Sequence, residues 1–338
     1  MRYQCMKSTR CIVLLVWLLF VVPSLAQRWQ TDVLGPDFKV MYFNHAKDYS
    51  GQVRSSLVTI DDSIKHNAAI LYIHGFNDYF YQKELAYKFR DKGYAFYAVD
   101  LRKYGRSLLS NQKKCQVRDY KEYIPDIDSA VYVIKKAGYD KIVLMGHSNG
   151  GLVASYYIMK SPDAPISALI LNSPFLDWNL GALESIVNLV SGIGVLFPNI
   201  SLKSGSGCAY GESLHSDYHG EWNFNTDWKS IQPINVDLGW VRAVNSAQHY
   251  LRKNKFSISI PILLMYSSRT INAVDWSPEV DCADVVLDVD DIRNYGLQLG
   301  IEVSTRGVVN GKHDLFLSSP EVRERLYESV FDWLSWKL

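Results

Sequence analysis

One pentapeptide constrains this chain more than any other stretch: Gly146-His147-Ser148-Asn149-Gly150, set between the apolar run Lys141 to Met145 and the helical pattern that opens Gly151-Leu152-Val153-Ala154. A strand that turns straight into a helix leaves no room for side chains two residues before or after the apex, so glycine is wanted at 146 and 150. Gly151 lets the helix approach the sheet. The turn lifts the Ser148 hydroxyl above the carboxyl end of the strand. It also aims the helix N-terminus, with the Asn149 N–H, at negative charge developing beside that hydroxyl. A serine so placed is a nucleophile that needs a base.

Around this elbow, short β-branched and aromatic runs alternate with longer helical patterns, the signature of a mostly parallel sheet with crossover helices on both faces. After two antiparallel strands (38–43 and 53–60), buried strands are predicted at 68–74 and 94–101, followed by strands at 141–146, 168–172, 262–266 and 302–309. Helices are predicted near 82–92, 120–137 and 150–159, with a last one at 320–336, which Ser318 or Ser319 caps and Pro320 opens. At 338 residues and 48% hydrophobic content, one catalytic α/β domain with an insertion fits better than two independent domains. The expected fold is the α/β-hydrolase fold over residues 27–338.

The stretch from about 176 to about 255 is too long for a connection in a compact domain and reads as an inserted cap. Its first part, 180–197, is apolar, and 201–228 is rich in Gly, Ser, Asp, Trp and Tyr. Two readings stay open: a helix packed on the domain with a long loop after it, or an amphipathic wall over the active site that admits a greasy substrate.

At the N-terminus, Arg2, Lys7 and Arg10 precede the apolar run Cys11 to Val22, followed by Pro23 and the small-residue site Ser24-Leu25-Ala26. This reads as a signal peptide spanning 1–26, since the apolar run is shorter than the roughly 20 residues a bilayer span needs. A secreted or periplasmic protein with no stable membrane span after cleavage is expected. Cleavage leaves Cys115, Cys208 and Cys282, so at most one internal disulfide is possible, with its pairing open. A net charge of +1 gives no general attraction for nucleic acid, which is not expected as a partner.

His74-Gly75-Phe76 ends the first buried strand. In this fold the loop there supplies the second oxyanion N–H, and Phe76 holds that place. The base comes late in the chain, after the acid, and His313 alone among the eight histidines lies between the last strand and the last helix. His215 and His219 stand four apart but have no clear third ligand, so no metal is expected.

Gly146 to Gly151, the stretch Asp100-Leu101-Arg102-Lys103-Tyr104-Gly105-Arg106-Ser107 and His313-Asp314 resemble the family of monoacylglycerol lipases and bacterial lysophospholipases, often labelled serine aminopeptidase-like. The likeness runs from about 68 to 336. It implies a cofactor-free enzyme that splits a carboxylic ester of a single-chain lipid through Ser148. The alternatives are an aminopeptidase, with Asp217 or Glu221 holding the substrate's amino terminus, and a non-catalytic binding protein of the same fold. Epoxide hydrolase and dehalogenase chemistry want a carboxylate at 148. The chain departs from the family at the triad acid: Ser267-Ser268-Arg269-Thr270 stands where that acid usually follows the strand. Asp275, Asp281, Asp284, Asp288, Asp290 and Asp291 compete for the role. Asp284, leading into Val285-Val286, resembles the family's acid loop best, with Ser267 to Cys282 read as an extra loop before it. Asp281 and Asp288 remain the competitors.

Overall fold

The computed structural model describes residues 28–61, 64–178, 184–203 and 207–338, and the expected signal peptide at 1–26 lies outside them. The strands are β1 (Gln30–Asp32), β2 (Gly35–Asp48), β3 (Gly51–Ile60), β4 (Ala68–Ile73), β5 (Tyr94–Asp100), β6 (Ile142–His147), β7 (Ala168–Asn172), β8 (Ser201–Leu202), β9 (Val236–Asp237), β10 (Ile262–Ser267) and β11 (Val303–Val308). The helices are α1 (Lys83–Asp91), α2 (Ile124–Lys136), α3 (Asn149–Lys160), α4 (Glu184–Leu196), α5 (Ala209–Leu214), α6 (Leu238–Lys253), α7 (Val289–Gly296) and α8 (Pro320–Lys337).

One nine-stranded sheet runs in the order β1-β2-β3-β5-β4-β6-β7-β10-β11. It is antiparallel from β1 through the β3–β5 pair and parallel from β5 to β11. Alternate residues of the central strands enter opposite cores. In β4, Ala69, Leu71 and Ile73 face the layer of α2, α3 and α6, whereas Ile70 and Tyr72 face α1 and α8. This is why these strands read as unbroken apolar runs.

The chain passes from β4 outward to β5, then returns over β4 to β6 on its other side. That reversal opens a crevice at the carboxyl ends of β4 and β6, where ligands bind in open α/β sheets.

The Asp100 to Ser107 stretch is scaffolding for that crevice. The Asp100 carboxylate accepts from the Phe80 N–H at 2.9 Å and the Arg106 N–H at 3.0 Å. Arg106 forks onto Asp32 at 2.6 and 2.7 Å and reaches Asp100 at 2.8 Å. The loop that follows β4 is thereby pinned to β5 through charge-assisted bonds of fixed geometry.

The expected cap over 176–255 divides in two. Helix α6 sends Trp240, Val241, Val244, Ala247 and Leu251 into the main core, so it is the crossover helix between β7 and β10. Helix α4 buries Val187 and leaves Leu189, Ile193, Val195 and Leu196 exposed. It is absent from the cavity wall; the covering segment is 207–234. Of the two readings of the apolar stretch, the packed helix is the one that α4 follows.

Candidate active site

Pairing of Ile73 with Gly146 sets the ends of β4 and β6 side by side, which brings the loop after β4 against the elbow. A Cβ on Gly146 would lie 2.4 Å from the Gly150 carbonyl oxygen, and one on Gly150 would lie 2.3 Å from the Ile73 oxygen and 2.4 Å from that of His74. No side chain fits at either position. Gly75 is more loosely confined, with the His147 side chain 3.1 Å from where its Cβ would lie. Ser148 sits at φ 51° and ψ −118°, a backbone conformation that costs a non-glycine residue about 1–3 kcal/mol. Bonds to β7 hold it there, from the Ser148 N–H to the Asn172 oxygen at 2.9 Å and from the Phe175 N–H to the Ser148 oxygen at 3.0 Å.

The crowding at position 150 gives an expected result. Gly150→Ala must push β4 and the elbow apart, and a misplacement of about 1 Å costs roughly 10²-fold in rate. Turnover of a model ester by Gly150→Ala should fall by about that factor; near-normal turnover would contradict the packing described.

His313 follows β11 and meets Ser148 from the opposite side. Its Nε2 lies 3.0 Å from Ser148 Oγ, and its Nδ1 lies 2.8 Å from Asp284 Oδ2. Asp284 is fully buried, and its Oδ1 accepts from the Val286 and Leu287 N–H groups, both at 2.8 Å. The carboxylate is therefore held as an acceptor and fixes the tautomer in which Nδ1 carries the proton.

The extra loop before the acid closes on itself. The Asp284 N–H donates to the Arg269 oxygen at 3.0 Å, and the Ile271 N–H donates to the Asp284 oxygen at 3.0 Å. Asp284 thus stands beside Thr270, next to the end of β10, despite the residues inserted between them. Its competitors are occupied elsewhere. Asp281 pairs with Lys312 at 2.7 Å, Asp288 caps α7 by accepting from the Asp290 N–H at 2.9 Å, and Asp275 is exposed.

Phe76 and Asn149 flank Ser148. The Asn149 N–H belongs to the first turn of α3, whose amides have no partner inside the helix. Phe76 lies in the loop after β4 and packs its ring 4.5 Å from that of Trp240. Two further histidines near the site are structural. His74 accepts from the Leu101 N–H at Nε2 (3.1 Å), so its Nδ1 donates to the Gly75 oxygen at 2.8 Å. His147 packs 5.0 Å from His313, and burial holds it below the ordinary histidine range, as a neutral ring.

Above Ser148 and His313 opens a cavity of about 430 Å³, within the roughly 300–1,000 Å³ usual for small-molecule sites. Its walls come from four places: the loop after β4 (Phe76 to Asp78), the cap (Gly207 to Gly211 and Phe224 to Ile234), the extra loop (Asn272 to Val274) and Val285-Val286 just after the acid.

Sequence reading did not find the groups that tie these walls together. Asn77 exchanges two bonds with the backbone of Ser230 at 2.8 and 3.1 Å. Asp78 pairs with Lys229 at 2.8 Å. Lys312 donates to the Ser213 oxygen at 2.6 Å as well as pairing with Asp281. These contacts join segments far apart in the chain, and no local pattern announces them. His215 packs on Phe224 and His219 stacks on Trp276. Among the described residues no cluster of three or more His, Cys, Asp or Glu could hold a metal ion, and Cys115, Cys208 and Cys282 are unpaired.

Chemically, the arrangement can move a proton from Ser148 Oγ to His313 Nε2 as the oxygen attacks a carbonyl carbon. Asp284 faces the resulting imidazolium, and the Phe76 and Asn149 N–H groups are the ones expected to meet the oxyanion. His313 can then return the proton to the leaving group, and water can release the acyl group by the same steps in reverse.

Comparison with known proteins places the chain in a family. The family model for serine aminopeptidases of the S33 type matches residues 64–270, ending where the extra loop departs. The chain is 29% identical over 140 residues to phospholipase YtpA of Bacillus subtilis, covering 41% of this chain and 52% of that protein. It is 24% identical over 270 residues to a probable lysophospholipase L2 of Haemophilus influenzae, covering 75% and 78%. The chain thus spans about half the length of the first of these relatives. Among solved structures, a soluble variant of the monoglyceride lipase of Saccharomyces cerevisiae, in complex with a substrate analogue, superposes with a TM-score of 0.60 at 16% identity over 91% of this chain and 94% of that one. At that identity the likeness shows the fold.

Proposed function

Because this chain belongs to the serine aminopeptidase S33 family, we propose that it is a serine carboxylester hydrolase that cleaves single-chain lipid esters, of the monoacylglycerol or lysophospholipid type, through an acyl-enzyme on Ser148. The observation that carries this reading is the unbroken line from Ser148 Oγ through His313 to the buried Asp284 carboxylate, opening on a cavity. The relatives named as phospholipase and lysophospholipase support the substrate class.

Aminopeptidase activity is favoured less, because it needs an acidic group to hold an amino terminus. Asp217 has a side chain 81% exposed, and Glu221 is engaged by Arg323; neither lines the cavity. A non-catalytic role leaves the strained Ser148 without a purpose. We also propose export, supported by the basic and apolar pattern of residues 1–26 and testable by N-terminal sequencing of the protein recovered outside the cytoplasm.

A chain-length panel tests the reading. Each buried methylene contributes about 0.8 kcal/mol, so two more should raise kcat/KM by about tenfold. Esters of medium and long acyl groups should outrun short ones until the cavity is filled, with Ser148→Ala as the blank. A flat or falling profile, or faster cleavage of aminoacyl amides, would overturn the proposal.

A further inference from the structure

The cavity has a charged region that the hydrolytic chemistry does not use. Asp78 is 1% exposed and Lys229 is 6% exposed, yet both line the cavity that holds Ser148. Asp78 Oδ1 accepts from Lys229 Nζ at 2.8 Å, while Asp78 Oδ2, also buried, has no hydrogen-bond partner among the described residues. An ammonium carries three donors. Beyond Asp78, Lys229 Nζ faces the rings of Tyr81, Phe224 and Tyr210 at 5.4, 5.6 and 6.0 Å from their centroids. Burial works against the charged carboxylate, but the Lys229 ammonium, together with the neighbouring His74 and His147 side chains, holds Asp78 below the ordinary carboxylate range. Asp78 follows Phe76 by two residues, which keeps their Cα atoms within about 7 Å. The pair therefore lies beside the oxyanion site.

A buried carboxylate oxygen left without a donor is costly and gains from any ligand that supplies one. We propose that Asp78 and Lys229 form a subsite for a hydroxyl-bearing leaving group, with Asp78 Oδ2 accepting from a substrate hydroxyl and Lys229 Nζ donating to a neighbouring oxygen. The proposal rests on the ester-hydrolase reading and narrows it. A substrate's acyl chain needs the apolar walls offered by Phe76, Ile231, Ile234 and Val274, which leaves the polar region to the alcohol. The open Asp78 oxygen then discriminates among alcohols by hydrogen-bond donors. An alkyl or trimethylammonium group carries no hydroxyl hydrogen to donate to it. A polyol donates to Asp78 and accepts from Lys229.

The test uses the full chain and three decanoyl esters that differ only in the alcohol: glycerol, n-propanol and choline. The wild-type protein should show kcat/KM for the glyceryl ester at least about tenfold above the propyl ester, because a site built to bond a hydroxyl rejects an analogue lacking it. The choline ester, whose alcohol carries no free hydroxyl, should fall below the glyceryl ester as the propyl ester does. Asp78→Leu combined with Lys229→Met leaves no unpaired charge behind and should bring the glyceryl-to-propyl ratio close to one. Should that variant fail to fold, the wild-type order decides alone. A choline ester cleaved as fast as the glyceryl ester overturns the subsite, as does a double variant that keeps the tenfold ratio or loses both esters equally. Hydrolysis of none of the three overturns the parent reading and this one with it, whereas hydrolysis without discrimination overturns only the subsite.

Discussion

Ser148→Ala is expected to lower kcat by about 10⁶, leaving only what the oxyanion donors and substrate binding supply without a nucleophile. The size of the loss follows from how completely the site is organised around one oxygen: the strained elbow, the 3.0 Å approach of His313 Nε2 and the helix terminus beside it all converge on Oγ. Removing Oγ should cost little stability, since alanine suits the turn no worse than serine. The measurement is steady-state turnover of a medium-chain ester with thermal unfolding alongside. Residual turnover within about tenfold of wild type would mean that another group carries the reaction.

Asp284→Asn is expected to lower kcat by about 10³ to 10⁴. The Val286 and Leu287 N–H groups hold one acceptor oxygen at Oδ1, so the amide nitrogen of asparagine must turn toward His313 Nδ1. That nitrogen donates, which forces the His313 proton onto Nε2, where it blocks transfer from Ser148. The change nearly conserves volume, so the folded protein should persist. Asp281→Asn and Asp288→Asn should cost far less, because Asp281 pairs with Lys312 and Asp288 caps α7. Collapse at either of those positions with normal turnover by Asp284→Asn would move the acid.

The parts of the molecule that were legible in the sequence are those whose physics is local. The elbow glycines answer to contacts with Ile73, His74 and residues beside Ser148, and the spans of β4, β6 and β7 follow from unbroken apolar runs buried on both faces. His313 followed from chain order. Asp284 was harder, because an acid displaced from the strand end can be placed only by a loop that returns to Arg269 and Ile271 through backbone bonds. Helix α6 falls inside the expected cap because the length of the 176–255 connection masks the helix's own period, in which Trp240, Val244, Ala247 and Leu251 recur on one face between polar Asn245 and Gln248. The Asp78–Lys229 pair was invisible for a different reason: it joins residues 151 positions apart, and each alone reads as an ordinary surface charge.

The central claim, that Ser148 is the activated nucleophile of this chain, is tested most directly by mapping where a fluorophosphonate probe attaches. One label per chain is expected, on the peptide containing Ser148, lost in Ser148→Ala and lost in His313→Ala while that variant remains folded. A label that survives Ser148→Ala, or that maps to any other residue, would contradict the account.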